Sequence, residues 1–168
     1  MRISRSFLAV TVMLATQSAH AAGFQLNAQS ATGLGRAFAG DAVIADNASV
    51  IARNPAAMAL FKEASYSVGF ETITTLIEVK DATYTGLTGS IDADESNAGS
   101  TSVAPNFYMV MPIDDKIAWG VSIYSNYGTK TEFDDSYSGY EYGGSTDVKS
   151  INLGLSGSYR IDPQWSIG

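Results

Sequence analysis

The sequence of 168 residues holds no cysteine and a single histidine, His20. The lack of cysteine excludes a disulfide framework, a thiolate nucleophile and a thiolate metal site. Basic residues are scarce too: 10 Lys and Arg stand against 17 Asp and Glu, for a formal charge of −7. Phosphate binding needs a cationic surface, so nucleic acid is not an expected partner. Charged residues make up only 16% of the chain, against roughly 25% in ordinary soluble domains. What the chain has is 16 Gly, 9 Tyr, 7 Phe and 45% hydrophobic residues. Such a chain is too apolar for disorder, and its Gly, Ser, Thr and Tyr content points to β-structure. The length allows one ordinary domain.

Arg2 and Arg5 precede an apolar run over residues 7–15, and Ala19-His20-Ala21 follows it. A positive start, a short apolar stretch and a small-x-small cleavage signal define a secretory signal peptide over residues 1–21. The apolar run is too short to span a bilayer as a helix. Cleavage after Ala21 removes both arginines and His20, which takes the charge to −9. A mature chain without His or Cys cannot build a Ser-His-Asp triad, a Cys-His pair or a histidine zinc site. Only carboxylate chemistry stays open, and nothing places two carboxylates across a cleft. No enzyme activity, cofactor or metal is therefore expected.

Residues 22–62 are rich in Ala, Gly and Asn and do not alternate. Short helical pieces are predicted over residues 35–39, 46–51 and 55–60. Pro55 suits the first position of a helix, with Asn54 as its N-cap. The stretch is too small to hold a core by itself, so it must pack inside or against something larger. Arg36 and Arg53 are candidates for ion pairs with Asp41 or Asp46, which would hold such a plug in register. Gly33, Gly35 and Gly40 superficially resemble a phosphate loop, but no strand precedes them and no Lys-Ser/Thr follows.

Beyond residue 63 the chain alternates. Tyr66, Val68 and Phe70 share one strand face; so do Phe107, Met109 and Met111; Ile117, Trp119, Val121 and Ile123; and Ile151, Leu153, Leu155 and Tyr159. The other face is mostly Gly, Ser, Ala and Asn. A period of two means strands with one apolar face. Residues 112–116 and 161–164 read as short turns, whereas residues 86–102 and 134–146 read as long acidic loops. Short turns at one end and long loops at the other match an outer-membrane barrel. Tyr66, Trp119, Tyr159 and Trp165 are candidates for its interfacial aromatics. A secreted β-sandwich also alternates. Four strands and the start of a fifth at Trp165 are too few to close a barrel, so the reading implies a fragment of a longer protein. The acidic groups Asp92, Asp94 and Glu95 lack the spacing of a calcium hand. They and Asp134 and Asp135 read as solvated loop charge.

Asn126, Tyr127 and Gly128 interrupt the alternation that ends at Tyr124. Glycine in a strand often marks a bulge or bend; a plain strand end before the loop at Asp134 fits as well.

Several short motifs, in order, carry a family resemblance: residues 22–27 (AGFQLN), 33–37 (GLGRA), Ala45-Asp46, 53–56 (RNPA), 103–106 (VAPN), 125–128 (SNYG), 131–133 (TEF) and 152–157 (NLGLSG). The chain thereby resembles the FadL-type family of outer-membrane transporters for long-chain fatty acids and other hydrophobic compounds. The resemblance implies the N-terminal part of a 14-stranded antiparallel outer-membrane β-barrel, monomeric when complete. Residues 22–62 would then be a hatch inside it and residues 63–168 its first strands. It implies passive uptake, with capture near the extracellular loops, hatch rearrangement and sideways exit at a kinked third strand. The kink falls on Asn126, Tyr127 and Gly128. Pocket and hatch residues fall on Phe24, Leu26, Asn54, Pro55 and Ala56. Partners would be a hydrophobic ligand, outer-membrane lipid and lipopolysaccharide. A structural or adhesive surface barrel is the competing reading.

Overall fold

The computed structural model describes residue 26 and residues 29–168. The signal-peptide expectation and Phe24 lie outside the described residues.

Four long strands and a short one make one antiparallel sheet: β1 (Ser65–Thr74), β4 (Thr101–Pro112), β5 (Ile117–Tyr124), β8 (Asn152–Arg160) and β9 (Ser166–Ile167), adjacent in that order. Two hairpins stand beyond its ends. One pairs β2 (Thr83–Gly86) with β3 (Gly89–Asp92), the other β6 (Gly128–Glu132) with β7 (Ser145–Lys149). Residues 86–102 and 134–146 are therefore not irregular throughout, as the sequence reading had them. The first contains β3, and the second contains helix α2 (Tyr140–Gly143). Thr and Tyr flank the Gly-containing tip of the first hairpin, and backbone ladder bonds outweigh its acidic character.

The register sorts the side chains. Val68 faces Phe107, which faces Ile123, which faces Leu153. Met109, Val121 and Leu155 form the next row, with Tyr66 at its end. This face is uncovered: Val68 is 83% exposed and Leu155 80%. The band is continuous across the four long strands, and no described residue covers it. Tyr66, Trp119, Tyr159 and Trp165 lie toward its short-turn end.

The opposite face carries Ser67, Tyr108, Ser122 and Gly154 in one row and Ser65, Val110, Gly120 and Ser156 in the next. Onto it packs the N-terminal stretch. This stretch holds helix α1 (Ala31–Gly35) and two 3-10 helices, η1 (Ala48–Ala52) and η2 (Pro55–Leu60). The predicted helix over 35–39 is thus displaced: α1 ends at Gly35 and turns follow. Ser30 caps α1 by accepting from Gly33 N–H at 2.9 Å, which starts the helix earlier. The core joins both parts: Ala48, Ile51 and Met58 against Tyr108, Val110 and Ala118. This shared cluster takes side chains from both parts, and neither part forms it alone.

Candidate functional site

Two places where the ladder or the backbone departs from regularity lie on this inner side. The first is a break between β5 and β6. Tyr124 pairs with Asn152 as the last pair of β5 and β8, and Gly128 pairs with Lys149 as the first of β6 and β7. Three residues, 125–127, therefore face two, 150–151. One extra residue makes this a bulge in the third long strand.

A bulge frees backbone groups, and each must find a partner. Ser150 N–H donates to Tyr127 C=O at 3.0 Å. Tyr127 N–H donates to Ser150 Oγ at 3.0 Å. Asn126 Oδ1 accepts from Asn152 Nδ2 at 2.5 Å and lies 3.2 Å from Ser150 Oγ. The Asn126 C=O accepts from Leu26 N–H at 2.7 Å, so the N-terminal segment takes up the bond that the neighbouring strand does not supply. Leu26 is half-buried there, near Gly128, where a Cβ would stand 3.8 Å from its methyl group. Leu26, Asn126, Tyr127 and Gly128 thus meet at one point of the wall.

The second place is a charged knot in the N-terminal stretch. Arg36 Nη1 lies 2.6 Å from Asp46 Oδ2, and Arg36 Nη2 lies 3.5 Å from Asp41 Oδ1. Arg53 Nε lies 3.4 Å from the other oxygen of Asp41 and its guanidinium stands 5.9 Å over the Phe38 ring. Asp41 reaches this position because residue 33 is glycine: a Cβ there would come within 2.5 Å of Asp41 Oδ1. Ala37 and Phe38 are both left-handed, with φ of 50° and 65°. Such conformations cost roughly 1–3 kcal/mol each, and the knot holds the turn in place against that cost. Beside it opens a crevice of about 510 Å³ lined by Phe38, Gly40, Asp41, Ala42, Val43 and Arg53.

Asn54, Pro55 and Ala56 lie between knot and sheet. Asn54 Oδ1 accepts from Ala56 N–H at 3.2 Å while its Nδ2 donates to Ala42 C=O at 2.9 Å. One amide therefore caps η2 and ties it to the strained turn. Arg160 donates to Ala59 C=O, and Ser166 Oγ to Ala56 C=O at 3.1 Å, which fastens η2 to β8 and β9.

At the loop end, Tyr84 donates to Glu141 Oε1 at 2.8 Å, which ties the β2–β3 hairpin to α2. That carboxylate acceptor pushes the Tyr84 hydroxyl above its ordinary range. The Ser136 hydroxyl and N–H hold Asp134 below the usual carboxylate range. At the short-turn end, Lys116 and Ile117 N–H do the same for Asp114.

Ser150 and Asn152 were not singled out by sequence reasoning. Their signal was present: two small polar amide or hydroxyl side chains flank Ile151, where the fourth strand begins to alternate.

The chain has close relatives. Residues 12–168 match a family described as outer membrane protein transport protein (OMPP1/FadL/TodX). The long-chain fatty acid transport protein of Escherichia coli strain K12 is 44% identical over 165 residues, covering 98% of this chain and 36% of that protein. Outer membrane protein P1 of Haemophilus influenzae strain Rd is 43% identical over 178 residues, covering 99% of this chain and 39% of that protein. The chain thus spans just over a third of the length of these relatives. Among solved structures, a Pseudomonas aeruginosa FadL homologue superposes with a TM-score of 0.75 at 24% identity, over 84% of this chain and 35% of that one.

Proposed function

Because the chain belongs to the outer membrane protein transport family (OMPP1/FadL/TodX), we propose that it serves passive uptake of long-chain fatty acids or related hydrophobic molecules. The family is one of transport, not of enzymes, and its members are outer-membrane proteins. The sheet is the N-terminal part of such a barrel.

In this reading residues 22–62 act as a hatch, and the ligand leaves sideways through the break at residues 125–127. The observation that carries it is the hydrogen bond from Leu26 N–H to Asn126 C=O. It supports the reading because the N-terminal segment sits where the β5–β8 ladder is interrupted. A lipid-facing wall satisfies its backbone groups internally. A break therefore persists only where something on the inside supplies the missing partner. Movement of the N-terminal segment would empty that place and join the interior to the bilayer. An acyl chain taking this route avoids an aqueous lumen, and its driving force is the removal of apolar surface from water. Phe24, third in the mature chain, would reach into the ligand pocket, and Asn54, Pro55 and Ala56 would form the elbow on which the hatch turns. Lipid and lipopolysaccharide would surround the apolar band of a monomeric barrel.

The test straightens the strand. Deleting Tyr127 leaves two residues facing two and restores a regular ladder. The native protein is expressed in cells without fatty-acid uptake of their own, and oleate uptake is measured. Uptake should fall to background while the barrel still shifts on a gel when boiled. Uptake that survives the deletion would sink lateral exit. No uptake by the unaltered protein would leave the adhesive-surface reading.

A further inference from the structure

We infer that Ser150 and Asn152 are positioning residues for the opening: from the fourth strand they clasp the Asn126 side chain and so aim the Asn126 carbonyl at the N-terminal segment. The inference rests on the transport reading above for its consequence, not for its geometry. Asn126 Oδ1 takes one donor from Asn152 at 2.5 Å, and the Ser150 hydroxyl lies 3.2 Å away. The same hydroxyl accepts from Tyr127 N–H at 3.0 Å, and Asn152 Nδ2 also reaches Tyr124 C=O at 3.4 Å. Two side chains thereby span the whole bulge, from its last regular residue to its first. An unclasped bulge is free to migrate along the strand, because its extra residue can sit at 125, 126 or 127 at similar cost. The clasp selects one of these positions. Only with the bulge fixed does the backbone C=O of Asn126 point inward, where Leu26 N–H meets it.

The clasp needs one donor amide facing one acceptor amide, and this gives a signature. In N126D the new carboxylate still accepts from Asn152 and Ser150. In N152D the Asn126 amide turns over and donates to the new carboxylate. In the N126D/N152D chain two carboxylates face each other and repel until one takes a proton. The native protein and these three variants are expressed in cells lacking fatty-acid uptake, and oleate uptake is followed at neutral and mildly acid pH. Each single variant should lower uptake by less than about threefold, and the double variant by about tenfold or more, well beyond the product of the singles. The double should recover at about pH 5, as one carboxylate of the pair protonates.

Residues 1–168 hold no cysteine, so L26C adds a thiol to this segment, and its maleimide labelling in outer membranes is read as the difference from the protein without L26C. Labelling should be faster in the double variant than in L26C alone at the same neutral pH. A double variant that equals the product of its singles, or a loss indifferent to pH, overturns the inference. If the double variant forms no heat-shifting barrel, S150A replaces it. Faster L26C labelling is then expected, and unchanged labelling overturns the inference. Labelling that follows the clasp in a protein that takes up no oleate upholds the positioning and sinks the transport reading instead.

Discussion

Met58 rests on Gly120. A Cβ at Gly120 would stand 2.9 Å from Met58 Sδ, 2.7 Å from Ile51 Cδ1 and 2.5 Å from the Met109 carbonyl. The glycine is therefore the floor on which both 3-10 helices sit, and the contact with the Met109 carbonyl leaves no room for the strand itself to yield.

A side chain at Gly120 should lift the N-terminal unit. Gly120→Val is expected to cost about 1–3 kcal/mol through overpacking. In outer membranes, residues 29–62 should become cleavable by added protease while the strands stay protected. Unchanged protection would mean the unit is held by its other attachments.

Asn54→Ala removes both the η2 cap and the bond to Ala42. Loss of an N-cap costs about 1 kcal/mol, and the second bond adds to it. Asn54→Asp keeps the cap but not the donor, so it should fall between the two in thermal stability of the detergent-solubilised protein.

Asp41 is shared by Arg36 and Arg53. Asp41→Ala removes the carboxylate shared by the two guanidinium groups and leaves Asp46 paired with Arg36. The expected loss is about 1–2 kcal/mol, larger than a single exposed ion pair gives. It should shrink as salt is added. A loss indifferent to salt would point to packing around Gly33 as the cause.

Leu155→Arg places a charge in the middle of the lipid-facing band. The expected penalty is about 2–4 kcal/mol at the bilayer midplane, read as a lower urea midpoint for folding into vesicles. Leu155→Phe should be nearly neutral. Equal effects would contradict the assignment of this face to lipid.

Asp114 is held below the ordinary carboxylate range by two turn N–H groups, Lys116 first and Ile117 second. A depressed carboxyl stabilises the turn above its unfolded value, and the contribution fades as pH falls through the folded one. Amide exchange at Lys116 and Ile117 should therefore be slow at neutral pH and quicken on acidification relative to Asp114→Asn, until the two converge. Parallel profiles would show that the carboxylate is not what holds the turn.

The strands were legible because Val68, Trp119, Val121 and Leu155 follow a strict period of two. So was the cap at Asn54, since its residue type and the following proline carry the signal locally. The displaced first helix was not, because Arg36 and Phe38, just after it, are held by Asp41, Asp46 and Arg53 from further along the chain. Tyr108 and Val110 are instructive: two large side chains on an otherwise small-residue face mark where the N-terminal unit sits, and the alternation alone passed over them. At the break, glycine and the interrupted period pointed to residues 126–128, whereas the unpaired residues are 125–127 and Gly128 already opens β6. The clasp from Ser150 and Asn152 depends on a strand pairing 23 to 26 residues away in sequence, which no local pattern encodes.

The three-against-two mismatch also limits how the wall can heal. Side chains alternate with a period of two, so a slip of one residue reverses the two faces of a strand. Annealing the defect by sliding β5 past β8 would turn Trp119, Val121 and Ile123 inward and present Ala118, Gly120 and Ser122 to hydrocarbon. The defect is in effect a dislocation pinned between two correctly faced crystals. It can be occupied or vacated, and its extra residue can shift among 125, 126 and 127, but a slide of the whole strand cannot remove it.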